Sequence, residues 1–287
     1  MDVAGTERDF AIITDSTADL PVDVAVARSI DVVPLLVSFG DDSFPDGTLS
    51  QVQFFERMAS SAKLPTTSQP SVGAFVEAYE KALRDAVEVI SIHISSGLSG
   101  TVASARQAAE RFAGKVHVFD SLNLSGGLAL QVLDAADAAD EGLSAGDTLA
   151  RLEKTRDRAK MIVGLDSLDN LARGGRIGKV SAFLGSLLDL KVTLTLDAQG
   201  KFTPVKRTRG EKAALVHTLD WIEEAMGGTR AGRFAVGQAM SAERAGRIRD
   251  AIAQRFDAVE IMMYEAGSVV STHTGSVWGV AVLPVSK

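Results

Sequence analysis

Hydroxyl side chains gather in two short stretches of this 287-residue chain. Ser95, Ser96 and Ser99 lie within SSGLSGT at residues 95–101, and Thr67 and Ser68 lie within TSQPS at residues 67–71. Two kinds of chemistry suit them. A serine becomes a nucleophile when a positioned base takes its proton, and the chain has four histidines, His93, His117, His217 and His273. His93 precedes Ser95 on an expected strand, where alternation gives no guarantee of contact. His273 reaches the serines only if distant parts of the chain close together. The other chemistry is anion binding. Residues 89–94 are apolar and β-branched, as in a buried strand, and the small residues 99–109 suit a helix capped by Ser99. A helix N-terminus after such a turn attracts a carboxylate or phosphate. Taken alone, the turn is equally an ordinary capped strand–helix junction.

The elements that must position these residues follow from apolar runs and turn signals. Strands are expected at 10–14, 31–39, 89–94 and 116–119, each followed by a helix. Pro34 demotes the second strand to a sheet edge or a bulge. Residues 40–47 read as an acidic loop, and a long alanine-rich helix runs to about residue 140. Strand–helix alternation implies a parallel sheet, whose ligands collect beyond the carboxyl ends of its strands. Three of the four strand ends carry Ser, Thr or Asp, and the TSQP loop joins them there.

Residues 142–146 mark a boundary, and a charged helix over 147–160 crosses it. Beyond lie a strand at 161–165, an apolar helix at 180–188 and a hairpin, 189–196 with 201–205, around Asp197-Ala198-Gln199-Gly200. A helix at 211–226, strands at 233–240, 259–264 and 277–285, and a helix at 242–256 complete the chain. The fold class expected is therefore α/β in two domains: residues 1–158 with a parallel sheet, and residues 159–287 with a mixed or antiparallel one.

Composition excludes several functions. Thirty basic against 37 acidic residues give a net charge of −7, without the basic block that nucleic acid demands. The absence of cysteine removes thiolate nucleophiles, disulfides and Cys-ligated metals, and no HExxH spacing links the histidines. GxGxxG and GxSxG are missing, and Gly174–Lys179 is one residue short of a P-loop. No signal peptide and no apolar run long enough to span a bilayer is visible, so a cytoplasmic protein without stable membrane insertion is expected. Within LARGGRIGK at 171–179, Arg173, Arg176 and Lys179 form one local cluster of positive charge without evident matching acids. It reads as a solvated turn or as a contact for an anion or acidic partner.

TDSTADLP at 14–21, TSQPS at 67–71, SSGLSGT at 95–101, DS followed by SGG at 120–127, and LARGGRIGK at 171–179 occur in this order. Together they resemble the DegV family along almost the whole chain. The resemblance implies two α/β domains with a long-chain fatty acid bound between them. It further implies the role of fatty-acid-binding subunit of a bacterial fatty-acid kinase, which presents the carboxylate to a separate ATP-binding subunit that makes acyl phosphate. No catalytic residue, metal or cofactor is implied on this chain. By the same resemblance, Thr67 with its neighbour Ser68, a serine among Ser95, Ser96 and Ser99, and His273 hold the carboxylate. Ser96 ranks first among the serines and Ser95 second. Arg173 and Arg176 face the partner or the transferred phosphate. After His273 the family's Pro and second Gly are absent, and Trp278 is expected to occupy tunnel volume. Two rival functions remain: a serine-dependent acyl hydrolase or transferase using Ser96 or Ser99 with His273, and a lipid sensor or buffer without a kinase partner.

Overall fold

A computed structural model describes residues 9–183 and 190–285. The chain opens with β1 (Phe10–Asp15), α1 (Val22–Ala27) and β2 (Ile30–Val33). Proline has no N–H for a ladder, and at Pro34 the chain leaves the sheet. It continues as β3 (Leu36–Phe39) and β4 (Asp42–Pro45), and after α2 (Gln51–Ser60) as β5 (Thr66–Ser68). These make a separate antiparallel sheet of order β4-β3-β5. The single strand expected over 31–39 is thus two strands in two sheets, and half of the expected acidic loop is β4. Then follow α3 (Val72–Ala82), β6 (Glu88–His93), α4 (Thr101–Ala109) and β7 (Val116–Asp120). The first sheet has the order β2-β1-β6-β7, all parallel. Ser99 does not occupy the cap: Gly100 does, and the Ser99 hydroxyl instead accepts from the Thr101 N–H at 3.3 Å.

The second half runs through α5 (Ser125–Asp140), α6 (Ala145–Arg158), β8 (Lys160–Leu165), α7 (Asp169–Arg173), β9 (Leu190–Leu196) and β10 (Phe202–Arg209). It ends with α8 (Glu211–Ala225), β11 (Ala231–Ala239), α9 (Ala242–Arg255), β12 (Asp257–Glu265), α10 (Ser268–Thr274) and β13 (Val277–Pro284). The second sheet has the order β10-β9-β8-β13-β11-β12 and is antiparallel except between β11 and β12. Of the apolar helix expected at 180–188, residues 178–183 form a 3-10 helix and residues 184–189 lie outside the described residues.

Helix α5 joins the two sheets. Fourteen of its 16 residues are buried, and it touches β1 and β6 on one side and β8, β11 and β13 on the other. Alanine and glycine make this possible, because short side chains let a sheet approach from each side. One apolar core therefore runs from Ile12 and Ile92 through Leu128 and Val132 to Val163 and Ala281. Helices α3 and α4 cover the far face of the first sheet, and α8 and α9 the far face of the second. Strand alternation on β13 sends Val277 toward α5 and Trp278 toward α8 and α9, where it packs with Ile162 and Phe234. Trp278 consequently takes no volume between the sheets, contrary to expectation.

Polar contacts lock the start of α5 to both sheets. The Ser125 hydroxyl donates to the Asp19 carboxylate at 2.5 Å, and that carboxylate also accepts from the Gly267 N–H at 2.9 Å. The Gly126 N–H donates to the Tyr264 hydroxyl at 3.0 Å. Burial pushes the Asp19 carboxyl well above its ordinary value, and the Ser125 and Gly267 donors only partly offset it.

Candidate functional site

The C-terminal ends of β1 and β6, the short strand β5, helix α10 and the turn after α7 meet at one cleft. Its polar wall carries Thr17, Thr67, Ser99, Arg176, His273 and Thr274. Its apolar wall comes from Leu35, Ile94, Leu98, Leu124 and Phe202, with Val269 and Val270 from α10. The cleft volume is about 50 Å³. Five chain segments far apart in sequence thus supply hydroxyls, a guanidinium and an imidazole to one apolar-walled space.

His273 and Thr67 are partners across 206 positions, with Nε2 and Oγ1 at 2.8 Å. Nδ1 is buried and has no hydrogen-bond partner. A proton there would be an orphaned buried donor, so the ring carries its proton on Nε2 and donates to Thr67. The Thr67 proton is then left to donate onward. Burial lowers the His273 pKa to about 4, with the Arg176 charge adding to the effect. The imidazole is therefore neutral at neutral pH, and Arg176 brings the positive charge. Arg176 itself is exposed, its Nε donating to the Leu98 carbonyl at 3.3 Å and its Nη1 to the Gly174 carbonyl at 2.7 Å. Gly174 is required by contact: a Cβ there would stand 2.3 Å from His273 Nδ1.

The SSGLSG turn is pinned from two directions. The Gln69 amide donates to Ser104 Oγ on α4 at 2.8 Å, which ties the TSQP loop to that helix. On the other side the Ser95 hydroxyl donates to the Gly200 carbonyl at 2.8 Å, in the hairpin turn between β9 and β10. Gly200 has φ +65° and a Cβ on it would meet Ser95 Oγ at 1.9 Å, so both its conformation and its space demand glycine.

Placement of the expected site residues is uneven. Thr67, Ser99 and His273 line the cleft. Ser95 is buried with its hydroxyl committed to Gly200, so it binds the hairpin rather than the cleft. Ser96, ranked first from sequence, is exposed and outside the cleft; its N–H donates to Asp120 at 3.2 Å. Ser68 is exposed as well, because alternation on β5 turns it away from Thr67. Arg176 lines the cleft, whereas Arg173 is exposed at the end of α7. Lys179 does have an acid, Asp197 at 2.7 Å, so the basic cluster is narrower than its sequence suggests. Thr17 and Thr274 were missed; the dense TDST turn was the available signal for the first.

A wider groove of about 810 Å³ lies between α1 and β12, with Val22, Val26 and Met263 among its walls. Asp19, Asp46 and Glu265 also line it and no basic side chain does, so it offers a carboxylate no charge partner. Among the described residues no group of three or more His, Asp or Glu side chains is arranged to hold a metal, and no helix is long and apolar enough to cross a membrane.

Residues 9–285 match the model of the DegV family, which is described as an uncharacterised protein family. A DegV domain-containing protein of Deinococcus radiodurans is 38% identical over 284 residues, covering 96% of this chain and 99% of the relative. Among solved structures, a DegV family protein from Thermus thermophilus, reported for fatty acid binding, has a TM-score of 0.92 at 36% identity, covering 97% of this chain and all of that one. The fatty acid kinase B3 protein of Streptococcus pneumoniae, solved with linoleic acid, shares the fold with a TM-score of 0.85 at 22% identity, covering 96% and 99%. With one family model spanning nearly every residue and a full-length relative at this identity, the chain belongs to the DegV family.

Proposed function

We propose that this protein binds a long-chain fatty acid in the cleft, with the carboxylate at Thr67, Ser99 and Arg176 and the acyl chain among the apolar residues beyond. The observation that carries the reading is the His273–Thr67 pair. It leaves one hydroxyl proton directed by a neutral imidazole, next to a guanidinium, at the mouth of an apolar wall. A carboxylate needs those donors and a hydrocarbon needs that wall. The Thermus relative, reported for fatty acid binding, supports the same ligand class. The volume of about 50 Å³ receives a head group only. An acyl chain requires on the order of several hundred Å³, so the apolar lining must part as the chain enters.

The finer role is presentation of the carboxylate to an ATP-binding kinase subunit in the cytoplasm, with Arg173 and Arg176 at the contact. The chain itself is non-catalytic, and its units are residues 1–158 and 159–287. An acyl-transfer reading has one observation in its favour, since Thr67 and His273 are also a hydroxyl and an imidazole in contact. It lacks the third group, because no acid orients Nδ1, and a base with a pKa of about 4 takes a proton poorly at neutral pH. The serines considered for that role fare no better: Ser96 is exposed, and the Ser99 hydroxyl contacts Thr101 at 2.8 Å.

Native mass spectrometry of protein purified without detergent, followed by denaturing extraction, tests the proposal. A released fatty acid, or uptake of added palmitate or oleate, is the expected result. An apo mass that takes up neither overturns it. Capture of an ATP-binding subunit, lost on charge reversal of Arg173 and Arg176, tests the finer role.

A further inference from the structure

Beneath the cleft lies a chain of four fully buried polar side chains that the proposed function does not use. Tyr79 and Ser91 hydroxyls are 2.9 Å apart, Ser91 Oγ and His93 Nε2 2.6 Å, and His93 Nδ1 and Asp15 Oδ2 3.0 Å. Asp15 Oδ2 also accepts from the Ile94 N–H at 3.0 Å, while Oδ1 accepts from the Thr17 N–H at 3.0 Å and from the Thr17 hydroxyl. The connectivity is that of a Ser-His-Asp triad, yet Ser91, His93 and Asp15 have no exposed surface. It is therefore no nucleophile.

The proton directions follow from the donors. His93 Nδ1 faces a carboxylate that already accepts from the Thr17 N–H, the Thr17 hydroxyl and the Ile94 N–H, so the His93 proton sits on Nδ1 as a fourth donor and Nε2 accepts from Ser91. Ser91 in turn accepts from Tyr79, whose hydroxyl burial keeps protonated. Every donor in the chain has an acceptor. Phe75 packs edge-on against the His93 ring at 4.9 Å and fixes its plane. Two consequences reach the cleft. Thr17 and Ile94, both lining residues, hang from one carboxylate although they lie 77 positions apart in sequence. The Thr17 proton is spent on Asp15, so toward the cleft its oxygen offers lone pairs only, whereas Thr67 has a proton to give.

We propose that Asp15 and His93 are positioning residues of the ligand site: they fix the Thr17 and Ile94 walls and bar a carboxylate from the Thr17 side, so that the head group is received at Thr67 and Arg176. The inference rests on the fatty-acid reading above. Its consequence is that the discrimination between an acid and a neutral ligand of equal length depends on residues that never touch the ligand.

The test is competition of oleic acid and oleyl alcohol against a fluorescent fatty acid, in wild type, Asp15→Asn, His93→Phe and Ile222→Ala, with melting followed in parallel. Ile222 lies on the buried face of α8, in the core cluster on the far side of the second sheet, and serves as a variant destabilised elsewhere. Asp15→Asn puts an amide donor against Thr17 or Ile94, and His93→Phe keeps ring volume while removing both hydrogen bonds. Each is expected to shift the acid-to-alcohol preference by at least about tenfold, while Ile222→Ala lowers melting temperature and leaves the ratio unchanged. An unchanged ratio in Asp15→Asn and His93→Phe, with melting lowered as in Ile222→Ala, overturns the proposal and leaves these residues purely structural. A second readout needs no ligand: imidazole nitrogen NMR is expected to show His93 with its proton on Nδ1, and an Nε2 proton overturns the stated chain. Wild type that binds neither compound sinks the fatty-acid reading instead, and the NMR arm still reports on the chain.

Discussion

Replacing His273 by asparagine isolates one buried titration at the site. In the folded protein its pKa is lowered from 6.5 to about 4, chiefly by burial. A group whose folded pKa is depressed contributes stability that is complete above its unfolded value and is lost as pH falls through its folded value, because the unfolded chain binds the extra proton first. The window is therefore from about pH 6.5 down to about pH 4. The gap corresponds to about 3 kcal/mol at full burial, and solvent at the half-buried ring trims this to about 2 kcal/mol. Asp19 and Asp46 work in the opposite direction, since their carboxyls are raised by burial and the folded state holds those protons more tightly. Wild-type stability alone thus mixes both signs, and the difference between wild type and His273→Asn cancels the carboxyls. Urea unfolding of both proteins across that window measures the difference. Wild type is expected to lose about 2 kcal/mol more than the variant between pH 7 and pH 4. A difference that stays flat refutes the neutral, buried imidazole, and with it the argument that Nε2 directs the Thr67 proton.

Two further substitutions test the cleft directly. Thr67→Val removes the hydroxyl that His273 directs and is expected to weaken fatty-acid binding by about 1–3 kcal/mol, whereas Ser96→Ala, at an exposed position away from the cleft, leaves it unchanged; fluorescence competition reads both, and the reverse order refutes the placement. Gly174→Ala drives a methyl to within 2.3 Å of His273 Nδ1, so the ring must move. Fatty-acid affinity is expected to fall as in Thr67→Val, with about 1–3 kcal/mol lost in stability, and undiminished affinity in that variant shows that the ring position does not matter.

Much of the frame was legible in the sequence because apolar runs are long and turns are marked. The four parallel strands, the alanine-rich α5, the β9–β10 hairpin and the α8 and α9 helices stand close to where periodicity puts them. Failures cluster where local signals compete. Pro34 marks a sheet change, and an edge or bulge was only the nearest local interpretation of it. Helix α10 was missed because SVVSTHT is rich in β-branched and hydroxyl residues that favour other conformations, although Gly267 and Gly275 bracket it. At the site, residue types were readable and directions were not. Ser95, Ser96 and Ser99 are chemically alike, and only the strand end and the approach of Gly200 decide that one faces the hairpin, one the solvent and one the cleft. Arg176 shares its charge with Arg173 and Lys179, and only the fold of the 174–178 turn separates them.

Energetics link the polar lock at α5 to the ligand. On the proposed function, about 14 methylenes transferred from water yield roughly 11 kcal/mol gross, and lost freedom of the ligand offsets a large part. Making room in a cleft of about 50 Å³ costs more, because close-packed side chains must part. That room cannot come from sliding one sheet over the other at α5. Asp19, Ser125, Gly126, Tyr264 and Gly267 are joined by hydrogen bonds that would be left buried and unmade. Nor does it come from the floor beneath Thr17 and Ile94, which Asp15 holds from four donors. The compliant wall is the one made by apolar side chains: those of Leu98, Phe202, and Val269 and Val270 of α10. Dispersion contacts there re-form around a hydrocarbon without stranding a polar group. On the proposed function, the head group is then received by a rigid polar rim and the chain by a yielding apolar wall, which lets acyl length vary while the carboxylate stays in register.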